Sequence, residues 1–151
     1  MAFTTGKENT VSKWEKFTIE GQTIELKIRS ADYEPFRAMQ DKATPAYNEQ
    51  FLLGVKEDDL KPYHYFLMQA FAVLIQDWKG VDFEVFDEHG ELKETITNAP
   101  CTPENKLKLL YGGDVGVQVW DFVRGKSKEI SEELKKKRDE VLGKSQNTTI
   151  G

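Results

Sequence analysis

The most regular hydrophobic pattern in the chain lies between Tyr63 and Trp78. Its large apolar residues recur at intervals of three and four positions, which places them on one face of a helix. We therefore predict a core helix that is buried on most of its circumference and ends at Asp77-Trp78. Gly80 is predicted to end it, because glycine readily adopts the left-handed conformation that follows a helix. The residues of the pattern are Leu67, Phe71, Leu74, Ile75 and Trp78.

Two other stretches alternate apolar and polar residues with a period of two, which is typical of β-strands. Residues 14–29 alternate on both sides of Glu20-Gly21-Gln22, so we predict an N-terminal β-hairpin. Residues 81–96 alternate around Asp87-Glu88-His89-Gly90, which predicts a second small hairpin. A lone hairpin is marginally stable in water, so the N-terminal one must pack against another element.

Three further helix starts are visible. Ser30-Ala31-Asp32 indicates a helix that should end by Thr44-Pro45, because the residue before a proline disfavours the helical conformation. Thr102-Pro103-Glu104-Asn105 combines a capping threonine with proline at the first helical position, and Gly112-Gly113 should end the helix that follows. Asp114 is predicted to cap the last helix.

These elements predict an α+β fold, a mainly helical single domain with an N-terminal β-hairpin. The chain of 151 residues is long enough to bury a sizeable core without disulfides or metals. We assign residues 1–13 to a flexible arm and residues 14–125 to the globular domain. Residues 126–151 are predicted to form a charged helix that leaves the domain, followed by a disordered tail from residue 143.

The composition argues against several partners and compartments. A formal net charge of -5 argues against nucleic acid and anionic membranes, which need a basic patch. The longest apolar run, residues 71–75, is too short to cross a bilayer. Cys101 is the single cysteine, which fits a reducing compartment, and residues 1–16 lack the apolar core of a signal peptide. We therefore expect a cytoplasmic protein.

Residues able to carry out chemistry are few. His64 and His89 are not spaced as a metal-binding pair, so no metal or cofactor is expected. Cys101 precedes a helix N-terminus, where its pKa could be lowered, and it leaves open a cysteine-dependent enzyme as an alternative function. No histidine base lies near it in the sequence, so we expect a protein that is not an enzyme.

An apolar stripe in the last helix is the candidate partner-binding surface. Its spacing suits a helix-in-groove contact, and an aromatic residue beside it is a reasonable interface anchor. The same spacing is more often that of a helix packed into its own core, and that interpretation stays open. The residues are Val115, Val119, Trp120, Phe122 and Val123.

The order of these features resembles the tail assembly chaperones of long-tailed bacteriophages. The resemblance is carried by the helix end at Asp77–Gly80 and by the Leu-rich helix that begins at Thr102–Asn105, with an acidic turn at Gly90 between them. The N-terminal hairpin around Gly21 and the charged C-terminal helix also fit, so the similarity spans about residues 15–140. The chain departs from the usual pattern in its strand-like insert between Gly80 and Thr102.

The resemblance implies a protein of the infected or prophage-carrying cell that binds the tape-measure protein and keeps it soluble during tail assembly. Such chaperones act in the host cytoplasm and are absent from the finished particle. Many also exist in a frameshift-extended form that recruits the tail-tube protein. A structural tail component of the tail-completion type, retained in the virion, is the alternative. Whether the chain forms a homo-oligomer is left open.

Overall fold

The computed structural model describes residues 11–149, without the side chains of Glu57 and residues 144–149. The predicted α+β class is confirmed, because the described residues form four helices and two small antiparallel sheets. The order along the chain is β1 (Ser12–Ile19), β2 (Gln22–Arg29), α1 (Glu34–Leu52), α2 (Glu57–Ala72), β3 (Ile75–Lys79), β4 (Phe83–Phe86), β5 (Leu92–Ile96), α3 (Pro103–Leu110) and α4 (Gly113–Thr149).

The N-terminal hairpin is confirmed. Strand β1 pairs antiparallel with β2, and the last pair, Ile19 with Gln22, leaves a two-residue loop. Both loop residues have positive φ, 50° at Glu20 and 77° at Gly21, as expected for the tight turn that matches strand twist. Of the predicted arm, residues 1–10 lie outside the described residues, and Ser12 and Lys13 already belong to β1.

The predicted helix through Trp78 is wrong beyond Ala72. The chain switches there to strand β3, which pairs antiparallel with β2 and completes a sheet in the order β1-β2-β3. Arg29 fixes the switch. Its backbone N–H donates to Leu74 O at 2.7 Å, and its Nη1 donates to Val73 O at 2.6 Å. These contacts bind the carbonyl groups that a continuing helix would use.

A β-bulge explains why this strand was mistaken for a helix. The register shifts between Lys27 and Ile28, so that Ile75 and Trp78 both face the core although they are three residues apart. In a regular strand, residues three apart lie on opposite faces. The bulge therefore reproduces the three-residue spacing of a helix. Gly80 follows a strand and does not end a helix.

The predicted end of the first helix at Pro45 is also wrong. Helix α1 begins at Glu34 and continues through Pro45 to Leu52. A proline inside a helix removes one hydrogen bond and kinks the chain, so packing has to compensate. Helix α1 lies against α2, where the Phe36 and Phe71 rings are 5.3 Å apart. This tertiary contact overrides the local signal.

Helices α3 and α4 refine three expectations. The predicted start of α3 is confirmed, because Thr102 Oγ1 accepts a hydrogen bond from Asn105 N at 3.2 Å. Asp114 lies in the first turn of α4 and does not cap it. The α4 backbone is helical as far as Thr149, in contrast to the tail predicted from residue 143. Residues 150 and 151 lie outside the described residues.

Helix α4 does not leave the domain at residue 126. Ser127 and Ile130 are buried, and the backbone N–H of Ala31 donates to Ser127 O at 3.0 Å. Farther along, Ser131 Oγ donates to Asp32 Oδ2 at 2.9 Å, and Lys13 forms an ion pair with Glu133. From residue 135 to residue 142 every residue of the helix is exposed. Apolar residues become fewer beyond Gly125 because the contact between α4 and the strands is narrower there. This change does not mark the end of the domain.

The second hairpin is confirmed as β4 paired with β5. Its base is fixed to the domain: the Trp78 and Phe83 rings meet edge to face at 6.3 Å, and Trp78 Nε1 donates to Ala99 O at 2.7 Å. In the turn, Asp87 Oδ1 accepts from the backbone N–H groups of His89 and Glu91. All five residues of β5 are exposed, so the hairpin stands out from the body of the domain.

Two glycines of α4 should respond in opposite ways to alanine. A Cβ at Gly116 would lie 2.5 Å from Leu110 O, whereas a Cβ at Gly125 would meet nothing within 4 Å. We expect Gly116→Ala to lower the free energy of unfolding by about 1–3 kcal/mol through a backbone clash. Gly125→Ala should raise it by about 0.5–1 kcal/mol. Urea denaturation followed by circular dichroism measures both; equal effects would contradict this packing of α3 on α4.

Candidate interaction groove

A large apolar opening lies between the helices. We call it the helix groove; it is open to solvent on one side and has a volume of about 610 Å³. Helix α2 supplies one wall, and the end of α3 with the start of α4 supplies the other. Its lining residues are Tyr47, Leu60, Lys61, His64, Leu67, Met68, Leu110, Tyr111, Gly113, Asp114, Val117 and Trp120.

Ring contacts connect the walls of the helix groove. His64 of α2 lies 6.1 Å from the Tyr47 ring of α1 and 5.1 Å from the Tyr111 ring at the end of α3. Tyr111 also meets Tyr65 edge to face at 5.8 Å. Aromatic side chains offer large apolar areas with few rotatable bonds, which is why they are common in binding surfaces.

An exposed apolar tip continues the helix groove at the end of α1. Phe51, Leu52 and Leu53 are 63%, 84% and 70% exposed, although all three are large and apolar. Phe51 stacks with Tyr47, a groove residue, at 6.5 Å between ring centroids. Contiguous exposed apolar surface of this kind marks interaction sites more often than isolated exposed residues do.

Trp120 forms the inner wall of the helix groove. Its ring meets Phe71 edge to face at 5.5 Å, and the Arg124 guanidinium lies 4.9 Å from its centroid. Its Nε1 is buried and has no hydrogen-bond partner among the described residues. A buried donor without an acceptor costs about 1–3 kcal/mol, which the ring contacts of Trp120 have to offset.

The electrostatics of the helix groove are nearly neutral. Burial lowers the pKa of His64 below its ordinary value of 6.5, so the neutral imidazole is favoured in the groove. Lys61 and Asp114 are the other ionisable side chains of the lining besides the tyrosines. The groove therefore suits an apolar occupant better than a strongly charged one.

The five predicted partner-binding residues do not share one surface. Val119 and Val123 are fully buried in the core, and Phe122 stacks on Phe17 at 4.4 Å. Val115 packs against the same core, so Trp120 is the one member that lines the helix groove. The stripe is therefore mainly core, which was the second interpretation of its spacing.

Sequence reasoning missed Tyr47, His64 and Tyr111 as neighbours. Tyr47 and His64 belong to two different helices and Tyr111 follows the end of a third, so only tertiary packing brings them together. The spacing of Tyr47 and Phe51, one helical turn apart, was the available signal. It was obscured because the helix was expected to end at Pro45.

Cys101 is placed differently from the expectation of a reactive thiol. It is half-buried against the core, and burial raises its pKa above the ordinary value for a thiol. The predicted lowering of the pKa is therefore wrong, because desolvation outweighs the positive charges of Lys106 and Arg29. Residues 11–149 contain no cluster of three or more histidine, cysteine, aspartate or glutamate side chains arranged to hold a metal ion. Among these residues, no helix is long and apolar enough to cross a membrane.

Comparison with known protein families places the chain. A family model described as YdaY prophage protein matches residues 31–144. The chain belongs to the YdaY prophage protein family. Comparison with curated proteins gives no significant match, and neither does comparison with solved structures.

The match to the YdaY family includes every residue of the helix groove. It begins directly after β2 and extends to the distal part of α4. The N-terminal hairpin lies outside the matched range, whereas the exposed second hairpin lies within it. The prophage origin implied by the resemblance is therefore confirmed in its general form, and the function within the prophage is a separate question.

The pKa of His64 predicts a pH dependence of stability. Because its folded-state pKa is lowered, the unfolded chain takes up a proton first as the pH falls below 6.5, and this opposes folding. We expect the melting temperature of wild type to fall relative to that of His64→Gln as the pH is lowered from neutral through this range. Differential scanning calorimetry of both proteins tests it. Parallel curves would show that His64 is not desolvated in the groove.

Proposed function

We propose that this YdaY prophage protein is a tail assembly chaperone that binds the tape-measure protein through the helix groove. The observation that carries the proposal is the aromatic-lined, solvent-open groove, continuous with the exposed tip Phe51–Leu53, in a protein of prophage origin. A chaperone has to cover apolar client segments before the client finds its place, so it needs such surface in its unbound form.

The dimensions of the helix groove suit one amphipathic helix. A volume of about 610 Å³ falls within the range of about 300–1,000 Å³ that is typical of binding pockets. A helix laid in such a groove inserts apolar residues at positions i, i+3 or i+4, and i+7. The tape-measure protein, a long helical client, offers repeated segments of that kind.

The surface outside the groove supports the same role. The protein is acidic overall, with a formal net charge of -5, and a net charge far from zero helps to keep a chaperone and its client soluble. An acidic surface has little affinity for nucleic acid. We propose that the protein acts in the host cytoplasm, where tails assemble.

The proposal no longer depends on the segment Asp77–Gly80. That segment was compared with a helix end, and it is a strand with a glycine after it. What supports the proposal is the prophage family, the Leu-rich helix beginning at Pro103 and the helix groove itself. Cys101 has no part in it, and we propose that the protein is not an enzyme. Cys101→Ser should therefore leave chaperone activity unchanged.

A groove variant tests the proposed function. Val117 lines the helix groove and is 59% exposed, so Val117→Asp should fold normally but place a charge where an apolar side chain docks. We expect co-expressed tape-measure protein from the same prophage to be soluble and to co-purify with wild type. With Val117→Asp, the co-purified amount should fall about tenfold or more.

Gln118→Asp is the matched control, because it adds the same charge at the next, exposed position outside the groove lining. It should behave as wild type. Equal binding by both variants would rule out the groove as the client site. Detection of the protein in purified virions would contradict the chaperone function and indicate a structural tail component instead.

A further inference from the structure

The exposed hairpin β4–β5 carries an acidic and apolar surface that the proposed function does not use. Phe86 and Leu92 form a cross-strand pair, and they are 54% and 55% exposed. The two strands and their turn also carry five exposed acidic residues and one lysine. We call the pair with its acidic neighbours the acidic hairpin surface: Glu84, Phe86, Asp87, Glu88, Glu91, Leu92, Glu94 and the single Lys93.

The distal part of α4 carries a surface of the opposite charge. Val141 and Leu142 are 63% and 55% exposed, and Lys135 and Arg138 lie on the same side of the helix. At 3.6 residues per turn, every acidic residue between positions 129 and 140 lies about 100° or more around the helix from Arg138. We call this side the basic helix surface: Leu134, Lys135, Arg138, Val141 and Leu142.

The two surfaces are complementary in charge and similar in apolar content. Each has two large apolar side chains that are more than half exposed; those of the hairpin lie among mostly acidic residues, and those of the helix share its side with Lys135 and Arg138. Opposite charges around an apolar centre guide association and fix its orientation, while the apolar side chains supply affinity.

The two surfaces cannot meet within one molecule. The base of the hairpin lies beside the first turns of α4, where Phe83 and Val119 line the same small cavity. From Val119 to Arg138 the helix rises about 28 Å. A four-residue strand such as β4 spans about 13 Å, so the hairpin is too short to reach the basic helix surface of its own chain.

We propose that the acidic hairpin surface of one copy docks on the basic helix surface of a second copy. The partner is therefore the protein itself, and the contact uses neither the helix groove nor the exposed tip of α1. The two surfaces lie toward opposite ends of α4, and neither includes a residue of the helix groove. The groove therefore stays accessible to a client when two copies associate. The inference does not depend on the proposed function.

Self-association should respond to salt and to charge reversal. We expect sedimentation equilibrium at protein concentrations up to about 1 mM to show a mass above that of the monomer at about 0.05 M NaCl, and a lower mass at about 0.5 M. Lys135→Glu with Arg138→Glu should raise the dissociation constant about tenfold or more. Glu84→Lys with Glu91→Lys should do the same.

Matched controls separate position from net charge. Lys136→Glu with Lys137→Glu makes the same change in net charge on the other side of the same helix and should associate as wild type. Asp41→Lys with Glu49→Lys, on the exposed surface of α1, is the control for the hairpin variant. Circular dichroism establishes that all four variants are folded.

Mixing the two interface variants gives the decisive result. Each variant alone loses one half of the contact, and neither should self-associate. The hairpin variant keeps its basic helix surface and the helix variant keeps its acidic hairpin surface, so a mixture should form a one-to-one heterodimer. A monomeric wild type at low salt, or a mixture that stays monomeric, would overturn the proposal. Unchanged binding of the tape-measure protein by both variants would leave the proposed function standing in either case.

Discussion

The packing of helix α4 across the N-terminal sheet is the interaction on which the rest of the structure depends. Strand β2 places Ile24, Leu26 and Ile28 in the core. Helix α4 contributes Val119 and Val123 to the same core, and both are fully buried. Phe17 of β1 stacks on Phe122 of the same helix. Because burial of apolar area is the dominant favourable term in folding, this layer fixes the position of α4 on the sheet.

That layer also decides which surfaces are left for partners. The apolar side of α4 is used by its own sheet, so a client cannot bind there without unfolding the core. The surface available for binding is instead the helix groove, where the side chains of the four helices leave an open cleft between them. A small domain has one core to maintain, and its docking surface has to be built from residues that the core does not require.

The exposed hairpin and the distal helix are positioned by the same layer. Trp78 is buried, and its indole N–H donates a hydrogen bond to the carbonyl oxygen of Ala99. This contact fixes the hairpin β4–β5 at one end of the domain. Contacts of Asp32 and Lys13 with α4 fix the other end. The groove lies beside the first turns of α4, so the proposed client site and the proposed self-association surfaces of this YdaY prophage protein are separate.

The sequence by itself determined the elements whose signals are local. Glu20-Gly21 sets a two-residue turn, Thr102 caps α3 through its own side chain, and Asp87 closes the second turn, so both hairpins and the start of α3 were predictable. Only the tertiary structure decided the rest. A bulge opposite Ile28 gave strand β3 the residue spacing of a helix. Packing against α2 stabilised α1 beyond Pro45. The packing of the helices placed Tyr47, His64 and Tyr111 side by side in one groove. Such outcomes depend on contacts between residues far apart in the chain, which a local pattern does not record.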